Sequence, residues 1–181
     1  IVAERFTREF SDISVAWQLH GMVMSLKKEY EKAIRSFRHS ISQDSTNAYS
    51  WFELGSAFER SKQIDSAAFA FRKVLKLQPD DPAACNYLGY MWAERGINLD
   101  SSKILIEIAL RQEPDNGAFL DSYAWVFYQF GQLDSAFFYI NKAVENIKDD
   151  PTVLCHLGDI LEKKGRLKEA LEAYHKSMEL N

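Results

Sequence analysis

The chain has 181 residues, 46% of them hydrophobic and 27% charged, with only 4 prolines and 8 glycines. That composition excludes both disorder and a collagen-like or coiled-coil fibre. A net charge of −4 argues against nucleic acid, whose recognition leaves a basic footprint, and no apolar run approaches the roughly 18 residues of a membrane span. Two cysteines make no disulfide framework. A start at Ile1 without a signal-peptide pattern reads as an excerpt of something longer, which leaves the compartment open.

Gly21, Gly55, Gly89 and Gly158 are spaced by 34, 34 and 69 residues, and Ala124 stands in the missing slot. Aligned on these positions, the chain divides into 1–13, 14–47, 48–81, 82–116, 117–150 and 151–181. A fixed period of this size predicts stacked supersecondary units. Residues 1–13 read as the C-terminal part of a helix from a preceding unit, with Phe6, Phe10 and Ile13 placed to cover the first full unit.

Residues 14–47 carry Trp17, Gly21, Ala33 and Phe37 at fixed offsets. Residues 48–81 repeat them as Trp51-x-x-Leu54-Gly55-x-x-Phe58, then Ala67-x-x-x-Phe71, then Pro79. Large residues at positions 4, 7 and 11 fall on one helical stripe, which predicts burial of Trp51 and Leu54. Position 8 is small because two helices cross there, and Ala33, Ala67, Ser102, Ala136 and Ala170 are small on the second helix for the same reason. Residues 82–116 hold one extra residue near Gly96-Ile97-Asn98-Leu99, where Asn98 suits a left-handed conformation. Gly96, Gly131 and Gly165 recur at position 15, between the helices, where a positive φ ends the first one cheaply. Asp65, Asp100 and Asp134 open second helices, at the positive end of the dipole. In 151–181 the pattern returns as Leu154, Leu157, Gly158, Leu161, Ala170 and Tyr174, with Leu161, Leu171, Tyr174 and Met178 expected to form an apolar terminal face open to self-association.

These residues resemble the tetratricopeptide repeat, whose signature is W-x-x-L-G-x-x-Y, A-x-x-x-F and a closing P. Five units, 14–47, 48–81, 82–116 (with the insertion), 117–150 and 151–181, carry the likeness. It implies an all-α, right-handed superhelical solenoid of antiparallel helix pairs. The stretch from Leu88-Gly89-Tyr90 through Asp121-Ser122-Tyr123-Ala124-Trp125 is further similar to a subgroup of bacterial members, without a known activity.

The resemblance also implies that first helices line a concave groove through positions 2, 5, 9 and 12. In this chain those twenty positions hold no Lys or Arg, four carboxylates and five aromatics. The candidate peptide-binding residues are Phe52, Glu59, Asn86, Tyr90, Asp121, Trp125, Tyr128 and Asp159, with Glu162 at the acidic end. Chaperone-binding members of the family grip a C-terminal carboxylate with Lys, Arg and Asn, and only Asn86 matches that chemistry. A carboxylate needs a cation to pair with. The expected partner is therefore a protein or peptide segment with apolar anchors and neutral-to-basic charge. The competing reading is that the aromatics cover one another or are covered by chain not included in this sequence.

Catalysis and metal binding find little support. Ser122 and His156 share position 6 of adjacent first helices with Asp121 and Asp159 alongside, but a hydrolase also needs an oxyanion hole and a turn that presents the serine. His156, Asp159 and Glu162 run i, i+3, i+6, short of the four convergent ligands of a structural zinc site. Cys85 and Cys155 lie two units apart, on the order of 20 Å for helices packed at ~8–10 Å, so both are expected as free thiols. No cofactor is implied. The preferred reading is a non-catalytic interaction scaffold; the alternative is a spacer or oligomerisation segment of a larger protein, such as one bearing an enzyme domain.

Overall fold

The computed structural model describes residues 9–180. Among these residues there are ten helices and no strand: α1 Ser14–Leu26, α2 Tyr30–Gln43, α3 Ala48–Arg60, α4 Ile64–Leu77, α5 Pro82–Glu94, α6 Leu99–Gln112, α7 Gly117–Gln129, α8 Leu133–Asn146, α9 Pro151–Lys163 and α10 Leu167–Glu179. They form an all-α solenoid of helix pairs. The pairs belong to two compact units that divide between Ala84 and Cys85, inside α5, and each unit is described by itself.

Two kinds of turn alternate along the chain, and each solves the helix-end problem differently. Where one pair gives way to the next, a side chain caps the new helix. Asn47 Oδ1 accepts from the Ser50 N–H at 3.0 Å, and Asp81 from that of Ala84 at 2.7 Å. Asn116 accepts from Ala118 and Phe119, and Asp150 from Thr152 and Val153. Such caps satisfy amide donors that have no partner within the helix and contribute about 1 kcal/mol each.

Within a pair the turn is made by the backbone alone. Lys28, Lys62, Gly96, Gly131 and Gly165 all have positive φ, between 60° and 77°. In every case the residue's N–H and the following one bond back to the closing turn of the first helix: Lys62 to Glu59 O and Gln63 to Phe58 O, Gly165 to Glu162 O and Arg166 to Leu161 O. This is the Schellman motif, repeated five times. The second helices that follow have no side-chain cap, but each carries one carboxylate in its first turn, from Glu31 to Glu169, where the dipole favours it. The lengthened turn of residues 96–98 keeps the motif at Gly96 and adds Asn98 at φ 49°, the left-handed conformation expected of it.

The core lies where helices of a pair cross. A methyl group on Gly21 would come within 2.6 Å of the Phe37 ring, on Gly55 within 2.9 Å of Phe71, and on Gly158 within 2.3 Å of Tyr174. Gly89 meets Ile106 in the same way, at 2.8 Å, and its carbonyl accepts from the Ser102 hydroxyl. Phe37, Phe71, Ile106 and Ile140 have no exposure, and full burial of such a side chain stabilises by roughly 1.5–3 kcal/mol. Gly117, outside both recurring glycine positions, admits Ile147 instead.

Two expectations are corrected. Leu54 is buried, at 3% exposure, but Trp51 is only half-buried. Its indole N–H donates to the Ser45 carbonyl at 3.0 Å, as that of Trp17 does to Ser11 at 2.8 Å. A large ring with a polar edge is held at the margin of the core, where that edge finds an acceptor. Leu161 is buried at 4% by Ala170, Ala173 and Tyr174, so the exposed apolar side chains of the last pair are Leu167, Leu171, Met178 and Leu180. Phe10 and Ile13, placed by the sequence to cover the first full unit, are themselves exposed at 37% and 46%; Phe6 lies outside the described residues.

Candidate functional site

In the second unit the first helices α5, α7 and α9 bring most of the candidate residues together. α7 is apolar around most of its circumference, and nine of its 13 residues are buried, including Asp121 at 7% exposure. An isolated buried carboxylate is costly, and the adjacent helix supplies its partner. His156 on α9 donates from Nδ1 to the two carboxylate oxygens at 2.8 and 3.0 Å. Burial pulls the imidazole toward its neutral form, but the Asp121 hydrogen bond and charge, with Asp159 and Glu94 beyond, prevail and hold its pKa above the ordinary histidine value.

The imidazole also begins a stack of rings. His156 lies against Trp125 at 4.3 Å and 26°, and Trp125 against Tyr128 at 4.6 Å and 13°. Tyr90 on α5 stands 6.2 Å from His156. Beside the stack is a cleft of about 250 Å³ lined by Asn86, Tyr87, Tyr90, Asp121, Ser122 and Thr152. That is less than the ~300–1,000 Å³ of small-molecule sites, a size for one anchoring side chain. Among the described residues, the buried atoms Asn86 Oδ1 and Trp125 Nε1 have no hydrogen-bond partner.

The acidic end is less open than its composition indicates. The Tyr174 hydroxyl donates to Asp159 at 2.7 Å and to Glu162 at 3.0 Å; burial and these carboxylates push its pKa well up. The Tyr128 hydroxyl is pushed up by burial and by the same two carboxylates. A cation is present after all: Lys163, from a position outside the twenty, holds its ammonium 4.4 Å from the Tyr128 ring centroid, a cation–π contact.

In the first unit, Phe52 is half-buried with its ring edge-on to Phe71 at 5.5 Å, which makes it packing as much as surface. Glu59 is half-buried and does not line the nearby cleft. The nearby cleft of about 480 Å³ is lined instead by Met22, Tyr49, Glu53, Ser56 and Arg60. Tyr49, well exposed, sits at a groove position yet was not singled out among the candidates.

The hydrolase arrangement does not form. Ser122 donates to the Ala118 carbonyl of its own helix at 3.0 Å, and His156 faces Asp121 instead. Among the described residues no three His, Cys, Asp or Glu side chains converge to hold a metal ion. Neither cysteine is in a disulfide, Cys85 being buried and Cys155 exposed; burial first, then Asp159, pushes the Cys155 thiol up, away from reactivity.

Helix pairs repeating at 34-residue spacing, each closed by a Schellman turn and crossed at a small residue, define a helical-repeat protein whose surfaces are ladders of equivalent positions. Residues 12–179 match the family described as tetratricopeptide repeat. The chain belongs to that family. It is 27% identical over 141 residues to the TPR repeat-containing protein PA4667 of Pseudomonas aeruginosa, a match covering 78% of this chain and 24% of that protein. The chain thus spans about a quarter of the length of that relative. Its fold is similar to that of MamA from Desulfovibrio magneticus RS-1, with a TM-score of 0.76 at 20% identity over 92% of this chain and 94% of that one. It is similar also to YrrB, described as a TPR protein with an unusual peptide-binding site, with a TM-score of 0.73 at 15% identity over 100% of this chain and 93% of that one.

Proposed function

We propose that the protein is a non-catalytic scaffold that binds a peptide or protein segment on the first-helix face of its second unit, with repeats bounded at 82–116, 117–150 and 151–181. The observation that carries this reading is the stack of His156, Trp125 and Tyr128 beside the cleft lined by Asn86, Tyr90 and Asp121. Rings locked by stacking lose little entropy when a partner covers them, which is why such residues become hot spots. The cleft takes an apolar anchor. Asp159 and Glu162 beyond it favour a neutral or basic segment, since like charge repels an acidic one. The description of YrrB as a peptide-binding member supports the same reading.

The test is a peptide array that includes apolar neutral, apolar basic and acidic carboxylate-terminated sequences, followed by titration of the best binders. Trp125→Ala and Tyr90→Ala should each weaken binding by ~2 kcal/mol while the helical circular dichroism is retained. Tight binding of acidic peptides that Trp125→Ala or Tyr90→Ala abolishes would overturn the charge preference, and apolar-peptide affinity indifferent to both substitutions would move the site off this face.

A further inference from the structure

The second-helix side of the first unit carries a groove that the reading above does not use. It is a cleft of about 410 Å³ between α2 and α4, lined by Arg38, Trp51, Leu54, Phe58, Phe69 and one carboxylate, Asp65, within the ~300–1,000 Å³ range of ligand clefts. Phe69 is 52% exposed and meets the edge of Trp51 at 6.1 Å. The groove is lipped by cations held in place by its own rings. The Lys73 ammonium lies 5.2 Å from the Phe69 centroid and 6.0 Å from that of Trp51, and the Arg38 guanidinium 5.3 Å from Phe58.

The net charge of the flanking helices separates this groove from its counterpart in the second unit. The helices α2 and α4 carry Lys32, Arg35, Arg38, Arg72, Lys73 and Lys76 against Glu31 and Asp65, a surplus of four positive charges in a chain of net charge −4. The corresponding helices α6 and α8 are balanced to slightly acidic, and in the groove between them Glu107, bonded to Tyr123 and Lys103, stands beside Arg111 and Lys142.

We infer that the α2–α4 groove docks a protein segment of acidic character, which places one aromatic or branched aliphatic side chain beside Trp51 and Phe69 and sets carboxylates against Arg38 and Lys73. An exposed phenylalanine in a formed apolar groove gains by being covered. Cations already held over ring faces can pair with incoming carboxylates with little further ordering. The face selects opposite charge from the first-helix face of the second unit.

The experiment uses the full chain and a fluorescein-labelled, end-blocked short peptide with a central tryptophan flanked by aspartate and glutamate, compared with the same peptide carrying lysine at every acidic position. Fluorescence anisotropy at low and high salt should show the acidic peptide binding at least about tenfold tighter at low salt, with the gap narrowing as salt rises. Phe69→Ser and Arg38→Glu, both at exposed positions, should each weaken the acidic peptide at least about fivefold without moving the thermal midpoint. Tyr90→Ala, on the other face, should leave it unchanged. Equal binding of the two peptides overturns the proposal, as does loss with Tyr90→Ala but not with Phe69→Ser. Concentration-dependent self-association abolished by Phe69→Ser overturns it in favour of a second copy as the occupant. Should Phe69→Ser fail to fold, the charge reversal at Arg38 decides alone.

Discussion

Lys62 and Gly165 hold the same backbone conformation, φ 64° and 77°, at the same position of their repeats. The glycine adopts it freely, whereas the lysine places its Cβ against the backbone at a cost of roughly 1–2 kcal/mol. The Schellman bonds and the docking of two helices hold it there.

Lys28→Gly and Lys62→Gly should therefore each stabilise the protein by about 0.5–1 kcal/mol, part of the relief being lost to the greater freedom of glycine in the unfolded chain. The converse, Gly131→Ala, should destabilise by about 1 kcal/mol, and wholly through the backbone, because a methyl group there would meet nothing within 4 Å. Urea denaturation midpoints check all three. A destabilised Lys62→Gly would show that the lysine side chain contributes more than its backbone costs.

Gly158→Ala should act by a different route. Here the backbone is helical, but the methyl group would lie 2.3 Å from the Tyr174 ring, and the same ring anchors its hydroxyl on Asp159 and Glu162. Displacing it should cost ~1–3 kcal/mol. Gly158→Ala with Tyr174→Leu should recover part of that loss, since the smaller side chain yields space. No recovery in the double variant would place the strain elsewhere.

Because Asp121 holds the folded-state pKa of His156 above the unfolded value near 6.5, the pair adds stability that is fully present below that value. This contribution is lost as pH rises through the folded pKa. The imidazole C–H resonance of His156, assigned by its loss in His156→Gln, should titrate above 6.5, and urea stability should fall over the same interval. In Asp121→Asn the nearest charge is gone while burial remains, so the titration should move to lower pH. A His156 that titrates at the same pH in both proteins would deny the ion pair.

Leu54→Ala should cost about 2–5 kcal/mol, as for a buried leucine. Trp51→Ala, at a half-buried ring that also loses its bond to Ser45, should cost about 2 kcal/mol, below the ~3–5 kcal/mol of a fully buried tryptophan. Thermal or urea denaturation ranks the two, and a greater loss at Trp51 would show its exposed edge to be sealed in solution.

The sequence by itself determined the helix pairs, their spacing, the crossing points and the turns at Gly96, Gly131 and Gly165. Those features are local: a 34-residue period fixes which residues recur, and a missing Cβ marks a crossing or a left-handed turn wherever glycine is used. The same rule passed over Lys28 and Lys62, because a lysine held in the left-handed region by its surroundings has no compositional signature. The apolar stripe points Trp51 toward the core, but periodicity gives a direction and not a depth. Its depth was set by the Ser45 carbonyl that its N–H must reach.

Tertiary structure alone decided the character of the candidate site. Position 5 reads as surface in the repeat, yet Asp121 is buried because α7 is enclosed on nearly all sides. His156, 35 residues away, faces that carboxylate rather than the Ser122 hydroxyl, whose bond runs back along its own helix. The rotation of one helix against the next selects among neighbours a single residue apart, and no linear pattern records that angle. The same rotation ties Tyr174 to Asp159 and Glu162 and brings Lys163 over Tyr128. Acidity and absence of cations, legible as a composition of positions, thus became hydrogen bonds and a cation–π contact once side chains from adjacent helices met.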